Sequence, residues 1–226
     1  MAVRADGDCC YHLCAVFGDL MRGRDALQSG ATPYSPEATR AVRVRMMDNI
    51  KEYTDLVKST CVDPSEVEGA ILENYGEVPS SYEPRITGSA KKEARLGLIN
   101  DFAAYTAKTP YQVVVIDTAN VWSDTDEELH KLAVRKAEIK TDTEFVMSRV
   151  LCAVLHKNHY DLGVVRSAGS IQSVFAAGAE WEAAEQLILA FVKSKSFKKI
   201  LADLVVQLVS WLTMPFKHHH SLSAWV

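Results

Sequence analysis

The sequence lacks the features that mark two large classes of protein. Basic residues are not in excess, since 25 Lys and Arg stand against 29 Asp and Glu and give a formal net charge of -4. This balance argues against a protein that coats a phosphate backbone, so nucleic acid is not expected as a partner. Long apolar runs are also missing: the longest uncharged run, 204–216, has 13 residues, whereas a bilayer-spanning helix needs roughly 20. No transmembrane helix is therefore expected.

Cysteine is scarce and unevenly placed. The five cysteines, at positions 9, 10, 14, 61 and 152, form an odd set with three members near the N-terminus. Secreted disulfide frameworks instead have even numbers of dispersed cysteines. The first residues include Asp6 and Asp8, where a secretion signal would need an apolar run. We therefore expect a cytoplasmic protein that works in a reducing compartment.

The hydrophobic pattern of the N-terminal part predicts two amphipathic helices. Apolar residues at spacings of four and three predict a first helix from Cys9 to about Met21. Ser35 as N-cap and Pro36 in the first turn predict the start of a second helix. The core face of this second helix should hold five residues, which are Val42, Met46, Ile50, Tyr53 and Val57.

The remainder of the N-terminal 166 residues alternates between predicted helices and strands. In order, the pattern predicts a helix at 63–76, a loop at 77–89, a helix at 90–108, a strand at 111–117, an acidic excursion with one short helix at 117–143, and strands at 149–155 and 159–165. The last two strands are close enough in sequence to form a tight hairpin. The fold class predicted is α/β (α+β), with a central sheet packed against helices.

The composition changes after Arg166. The segment SAGSIQSVFAAGAE consists mostly of small residues, and two strongly apolar helical stretches follow it at 180–193 and 197–212. We therefore divide the chain into a domain at 1–166 and an apolar helical C-terminal extension at 167–226. Lysines near the apolar faces are compatible with contact to a membrane surface. Packing of the extension against this chain or another chain is the favoured interpretation.

Cys9 lies where a helix N-terminus would activate a thiol. The thiolate is the nucleophilic form, and it is stabilised by the positive end of a helix dipole or by a cation. A partner histidine must be held in one tautomer by a carboxylate or an amide. His159 and Asp161 are two residues apart on a predicted strand and share a face, so Asp161 can accept the ring N–H. Asp6 and Gly7 precede Cys9 in a turn whose backbone N–H groups can form an oxyanion hole.

Two sequence blocks carry a more specific signal than this spacing. DGDCCYHLCAVF near the start and HKNHYDLGVV about 150 residues later resemble the signature blocks of the ovarian tumour (OTU) family of cysteine proteases. In that family an Asp-Gly-Asn-Cys block opens the catalytic helix, and a His-Tyr-Asp or His-Tyr-Asn block lies on a late strand. The resemblance covers residues 1–166. This sequence departs from the family pattern at Asp8, where asparagine is usual, and at Cys10, where a larger apolar residue is common.

The resemblance implies a fold, a site and an activity. The fold would be OTU-like, with a mostly antiparallel central sheet between helices. Cys9 matches the nucleophile, His159 the general base, Asp161 the residue that orients the histidine, and Asp6 the first acid of the N-terminal block; Tyr160 would pack beside the site. The activity would be that of a thiol-dependent deubiquitinase, which cuts the bond between the C-terminus of ubiquitin, or a ubiquitin-like modifier, and lysine. Ubiquitin conjugates are thus the expected partners, and no cofactor or metal is implied.

Several alternatives stay open. The purely structural interpretation makes Cys9 a buried thiol and His159 an ordinary strand histidine. A zinc site would draw its ligands from Cys9, Cys10, His12, Cys14, His156 and His159. Among functions, the abrupt start and apolar tail are compatible with a viral or bacterial protease that cuts its own polyprotein or a host conjugate. A catalytically silent module would instead bind ubiquitin or act as a scaffold through its tail helices. Segments 77–89 and 117–143 are expected to contact the modifier because of their length.

Overall fold

A computed structural model describes residues 7–24, 35–89, 97–118, 125–138, 146–167 and 170–194 of the protein. Helices dominate the first half, and strands dominate the second. In chain order the elements are α1 (Cys9–Met21), α2 (Pro36–Thr60), α3 (Glu66–Tyr75), α4 (Pro79–Thr87), α5 (Ile99–Thr106), β1 (Tyr111–Asp117), α6 (Asp126–Ala133), β2 (Val134–Lys136), β3 (Arg149–His156), β4 (His159–Leu162), β5 (Val165–Ser167), β6 (Ser170–Gln172), β7 (Val174–Ala176) and α7 (179–194). The mixed α/β class predicted from the sequence is confirmed.

The central sheet is mixed. The strand order is β2-β1-β3-β4. β4 pairs with residues 153–156 of β3, and β7 pairs with residues 149–151 of the same strand. β1 and β3 are parallel, with Val113 opposite Leu151, while the pairs β1–β2, β3–β4 and β3–β7 are antiparallel. β5 and β6 form a separate two-stranded ribbon. β4 is therefore an edge strand of the described sheet, and the residues on it are reachable from the side.

The two faces of the sheet support two cores. Alternate residues of a strand point to opposite faces, so Val113 and Val115 of β1 face one layer and Val114 and Ile116 face the other. The first layer contains α1, α2 and α5 together with the buried side chains of Leu151, Ala153, Tyr160 and Leu162. The second layer is formed by α7 through Trp181, Ala184 and Val192, which pack with Val114, Ile116, Val150, Cys152 and Phe175.

The first two helices begin where the sequence predicts them. α1 runs from Cys9 to Met21 and is buried over its first ten residues. In α2 the Ser35 hydroxyl accepts a hydrogen bond from the Ala38 N–H at 3.0 Å, which satisfies one of the four unpaired donors of the first turn. All five residues expected on the core face of α2 are buried. Capping chemistry and a four-three apolar pattern are local signals, so they can be identified without the fold.

The segment predicted as a loop at 77–89 is largely the helix α4. Pro79 occupies its first turn, where a missing N–H costs nothing, and Gly88 ends it in the left-handed conformation at φ 80. Tyr82 packs edge-on against Tyr75 at 5.3 Å, and Ile86 is fully buried. These tertiary contacts outweigh the loss of one helical hydrogen bond at the internal Pro84.

The helix predicted at 90–108 is shorter in the structure. α5 covers Ile99–Thr106, residues 90–96 lie outside the described residues, and residues 97–98 are not helical. The carboxylate of Asp101 accepts a hydrogen bond from the Leu98 N–H at 2.8 Å, which fixes the start of the helix at residue 99. Among the described residues of the excursion, the predicted short helix is α6, and the strand β2 was not predicted.

The predicted hairpin is confirmed. β3 and β4 are joined by Lys157 and Asn158, and His156 pairs with His159. Lys157 has φ 58, as the tight turns that suit the twist of paired strands require. The second strand is shorter than predicted, because β4 ends at Leu162 and β5 leaves the central sheet to pair with β6.

The described part of the proposed C-terminal extension packs on the sheet. β7 pairs with β3, and α7 covers the second face through Trp181, Ala184 and Val192. Residues 195–226, which hold the rest of the predicted extension, lie outside the described residues, so the division at residue 166 stays a prediction. Within the described parts of the chain, we find no helix that is both long and apolar enough to cross a membrane.

Candidate active site

Cys9 is the first residue of α1 and follows a tight turn. Gly7 has φ 93, a conformation that favours glycine and confirms the expected left-handed turn. Asp8 is the N-cap residue, and its carbonyl accepts the His12 N–H at 3.0 Å. Cys9 itself is 2% exposed. Cys9 thus lies at the positive end of a helix dipole, where a thiolate or an oxyanion is favoured. Asp6 lies outside the described residues.

His159 and Asp161 form a hydrogen-bonded pair on β4. The ring Nε2 of His159 and the carboxylate Oδ1 of Asp161 are 3.0 Å apart, and the two side chains are 25% and 32% exposed. A neutral His159 that donates its Nε2–H to Asp161 keeps Nδ1 as the basic nitrogen. The hydrogen bond that the sequence predicts between Asp161 and the ring of His159 is therefore present.

The helix that begins at Cys9 packs against the strand that holds this pair. Tyr160, between His159 and Asp161, turns to the opposite face and is buried in the core next to α1. Its ring packs edge-on against Phe102 at 5.0 Å. Burial raises the pKa of Tyr160, and the neighbouring thiols of Cys10 and Cys9 raise it further. Tyr160 thus packs between β4 and the core next to α1, on the face of the strand opposite His159 and Asp161.

The turn before Cys9 is held by an ion pair that the sequence does not reveal. The Arg43 guanidinium of α2 donates to the Asp8 carboxylate at 2.7 Å and to the carbonyl oxygens of Arg85 and Ile86 at 3.0 and 2.5 Å. It also lies over the Tyr11 ring, 3.7 Å from the centroid. The aspartate that departs from the family pattern at position 8 therefore has a structural role, in which it anchors the turn to α2.

A buried charged cluster lies beneath α1. Arg85, 4% exposed, pairs with the carboxylate of Asp101, which is fully buried, and donates to Glu77 at 2.9 and 2.6 Å. The Tyr75 hydroxyl donates to Asp101, and Arg85 reaches the Tyr11 hydroxyl at 3.3 Å. We call these five residues the Arg85 cluster. It joins α1, α3, α4 and α5. The sequence does not predict it, because polar and charged residues that are far apart in sequence are ordinarily assigned to the surface.

The other buried thiols are unsuited to nucleophilic chemistry. Burial raises the pKa of Cys10 well above its ordinary value, and its contact with Cys14 adds to the effect. Burial likewise raises the pKa of Cys14, and it raises that of Cys152 to about 12. A thiol with such a pKa stays protonated near neutral pH. These shifts agree with the expectation that Cys10 and Cys14 take no part in the chemistry.

The histidines required by the zinc alternative have other partners. The ring Nδ1 of His12 is 3.2 Å from the Thr39 hydroxyl, and the ring Nδ1 of His156 is 3.2 Å from the Thr118 hydroxyl. Among the described residues, no group of three or more His, Cys, Asp or Glu side chains is placed to hold a metal ion. The zinc alternative therefore finds no support in this part of the chain.

Two clefts flank the candidate site. One, of ≈ 620 Å³, lies between α1 and α2 and is lined by Asp8, His12 and Arg43 among others. The other, of ≈ 490 Å³, lies between the end of β4 and α7 and includes Asp161. Neither was predicted, because each is built from elements that are distant in sequence.

Comparison of the chain with protein-family models and with curated proteins gave no match. The assignment of a function therefore depends on the two sequence blocks and on the geometry of the site.

Proposed function

We propose that the protein is a thiol-dependent hydrolase that removes ubiquitin, or a ubiquitin-like modifier, from lysine. The observation that carries this proposal is the packing of α1, which begins at Cys9, against β4, on which His159 is hydrogen bonded to Asp161. The choice of ubiquitin as substrate comes from the resemblance of the two blocks to the OTU family. The proposed reaction requires the helix N-terminus and His159 to act on the same thiol.

The proposed reaction is acyl transfer in two steps. His159 takes the proton of the Cys9 thiol, and the thiolate attacks the carbonyl carbon at the end of the modifier's tail. Backbone N–H groups of the turn at Gly7 and Asp8 stabilise the negative oxygen that develops. His159 then gives its proton to the leaving lysine amine, which leaves a thioester on Cys9. Water hydrolyses this thioester with His159 as base, while Asp161 stabilises the imidazolium in both steps.

Hydrolysis of lysine-linked di-ubiquitin and of conjugates of ubiquitin-like proteins tests the proposal. Cys9→Ala should abolish turnover, and His159→Asn should lower kcat by about 10²- to 10⁴-fold, the usual contribution of a general base. Two matched controls should retain activity: Cys61→Ala, which removes a partly exposed thiol, and His156→Asn, which removes the histidine paired with His159 in the hairpin. Equal loss in His156→Asn and His159→Asn would show that the hairpin, rather than a base, is needed.

The burial of Cys9 favours a second candidate function. Only 2% of the surface of Cys9 is exposed, so a substrate carbonyl group has little access to its thiol. A module that binds ubiquitin conjugates without cutting them would retain the same fold and the same pair on β4. In that case wild type and Cys9→Ala would bind conjugates equally well, and neither would release free ubiquitin.

A further inference from the structure

Asp8 places a carboxylate next to the candidate nucleophile. It is the N-cap residue of α1 and immediately precedes Cys9 in the chain. A negative charge near a thiol disfavours the thiolate, because like charges repel. The same charge opposes the negative oxygen that the proposed reaction develops at the turn of Gly7 and Asp8. The proposed chemistry of Cys9 therefore requires that the charge of Asp8 be balanced.

The guanidinium of Arg43 supplies a balancing charge. Its Nη2 lies 2.7 Å from the Asp8 carboxylate, and the two side chains are 11% and 28% exposed. A charged hydrogen bond of this length is among the stronger ones in proteins, and solvent screens it less where the cation is mostly buried. Together the two side chains carry no net charge, so the field that Cys9 experiences from them is that of a dipole.

The position of Arg43 is also fixed by contacts other than Asp8. Its Nη1 donates to the carbonyl oxygens of Arg85 and Ile86 at 3.0 and 2.5 Å. Its Cζ lies 3.7 Å from the centroid of the Tyr11 ring. A cation that is held in advance needs no rearrangement when negative charge develops nearby. Neutralising Asp8 should therefore leave Arg43 in place.

The neighbouring arginine of α4 has a different role. The guanidinium of Arg85 pairs with the carboxylates of Asp101 and Glu77, beneath α1. Arg43 contacts only the backbone carbonyl of that residue. The counter-charge that the structure gives to Asp8 is thus Arg43.

We propose that Arg43 is a positioning residue that acts through Asp8: the ion pair keeps the Asp8 carboxylate from opposing the thiolate of Cys9 and the oxyanion. This inference rests on the proposed function and adds to it the charge balance under which Cys9 reacts. The alternative is that Arg43 is only a structural link between α2 and the turn before Cys9. The two roles differ in what happens when Arg43 and Asp8 are both neutralised.

Alkylation of Cys9 by iodoacetamide, followed by peptide mapping, measures the availability of the thiolate without any modifier protein. Arg43→Gln removes the charge but keeps an N–H donor, and it should slow the alkylation about tenfold, as for a thiol pKa one unit higher. Adding Asp8→Asn to Arg43→Gln should restore most of the wild-type rate, because asparagine has the same shape without the charge. Arg40→Ala is the matched control, since it removes an exposed charge from the same helix and should leave the rate unchanged.

The sign of the effect separates charge from structure. A loosened turn would expose the buried thiol and speed up its alkylation, and Asp8→Asn would not reverse that change. Arg43→Lys, which keeps the charge, should react at nearly the wild-type rate, and circular dichroism checks that each variant is folded. The proposal would be overturned by faster or unchanged alkylation in Arg43→Gln, by a double variant as slow as the single one, or by a wild type in which Cys9 is not alkylated.

Hydrolysis of lysine-linked di-ubiquitin distinguishes this inference from the proposed function. Arg43→Gln should lower kcat about tenfold and leave KM unchanged, because the ion pair acts on the thiol and the oxyanion, and Asp8→Asn should again restore kcat. Charge-dependent alkylation in a protein that hydrolyses no modifier conjugate would refute the proposed function and leave the effect of Arg43 on Cys9 standing. Hydrolysis that Arg43→Gln does not change would refute the role of Arg43 alone.

Discussion

At the scale of single residues, the contact between Asp8 and Arg43 explains how the turn before Cys9 is held. The Asp8 carboxylate lies one residue from the candidate nucleophile, and Arg43 ties it to α2 and to two carbonyl oxygens at the end of α4. The guanidinium side chain is 11% exposed, so its hydrogen bonds are little weakened by solvent. A short acidic side chain at position 8 therefore suits this arrangement, although the family pattern has asparagine there.

Removing Arg43 should destabilise the fold and loosen this turn. Arg43→Ala removes the guanidinium that donates to the Asp8 carboxylate and to the Arg85 and Ile86 carbonyl oxygens, and we expect the free energy of unfolding to fall by about 1.5–3 kcal/mol. Urea denaturation measures the change. Arg40→Ala, on an exposed position of the same helix, should change it by less than about 0.5 kcal/mol. Equal effects of the two substitutions would contradict a specific role for Arg43.

The buried Cys152 thiol makes a specific prediction for alkaline pH. Burial raises its pKa to about 12, whereas an unfolded cysteine has a pKa of about 8.5. Below about pH 8.5 the thiol is protonated in both states. Between that value and about 12 only the unfolded chain ionises, so the free energy of unfolding falls by about 1.4 kcal/mol per pH unit from this group.

Urea titrations between pH 8 and pH 10.5 measure this dependence. The unfolding free energy of Cys152→Ala should decline less steeply with pH than that of wild type. The difference in slope should be the contribution of one thiol, about 1.4 kcal/mol per pH unit. Cys61→Ala, which removes a partly buried thiol elsewhere in the chain, is the matched substitution for comparison. Parallel slopes for wild type and Cys152→Ala would show that the thiol ionises equally in both states.

At the scale of elements, the position of α1 depends on a close approach at Gly97. A Cβ atom at this position would collide with both Cβ and Sγ of Cys10, in the first turn of α1. Gly97→Ala must therefore push α1 away from the segment before α5. We expect it to lower the free energy of unfolding by about 1–3 kcal/mol, the usual cost of overpacking a core.

Thermal unfolding and ubiquitin hydrolysis together test this role of Gly97. The loss of stability in Gly97→Ala should be accompanied by loss of turnover, since Cys9 moves with α1. Gly69→Ala is the control: Gly69 lies in α3 with open space around it, so alanine should raise stability by about 0.5–1 kcal/mol. A Gly97→Ala protein with normal turnover would argue that Cys9 does not need its present position.

The elements that could be predicted from the sequence are those with local determinants. α1, α2 and the β3–β4 hairpin follow from apolar spacing, an N-cap and a short turn, and these signals act within a few residues. α4 could not be predicted, because two prolines indicate a loop and the contacts that outweigh them come from Tyr75 and Asp101. β2 and β7 have three residues each and are strands only because β1 and β3 lie beside them.

The same distinction applies to the candidate site. The two-residue spacing of His159 and Asp161 is a local pattern on a strand, and the predicted hydrogen bond between them is present. The partners of Asp8 and the lining of the cleft at Asp161 depend on helices that are far away in sequence. Residues that act through tertiary contacts, such as Arg43, carry no signal that a single sequence reveals.

At the scale of the whole molecule, the Arg85 cluster connects α1, α3, α4 and α5, which are four of the helices whose buried side chains form the first core. Asp101 is fully buried and pairs with an arginine that is 4% exposed. Removal of Arg85 therefore leaves a buried carboxylate without its guanidinium, and removal of Asp101 leaves Arg85 with Glu77 as its remaining ion-pair partner. The cluster also includes Tyr11, two residues after Cys9. The same residues therefore stabilise the fold and position the N-terminal helix.

Asp101→Ala should be among the most destabilising substitutions in the protein. We expect the free energy of unfolding to fall by about 3–5 kcal/mol, as for other broken buried pairs. Glu52→Ala is the control, because it breaks the exposed pair with Lys108 and should cost less than about 1 kcal/mol. Denaturant unfolding followed by circular dichroism provides the comparison. Similar midpoints for the two variants would show that the cluster contributes little to stability.

The proposed function requires Cys9 to act as a nucleophile on the C-terminus of a ubiquitin-like modifier. The most direct measurement is capture by ubiquitin, or a ubiquitin-like protein, with a thiol-reactive group at its C-terminus, followed by peptide mapping of the adduct. We expect a single adduct at Cys9, formed by wild type and Cys61→Ala, absent from Cys9→Ala and slowed in His159→Asn. An adduct at Cys61, or no adduct with any modifier, would contradict it.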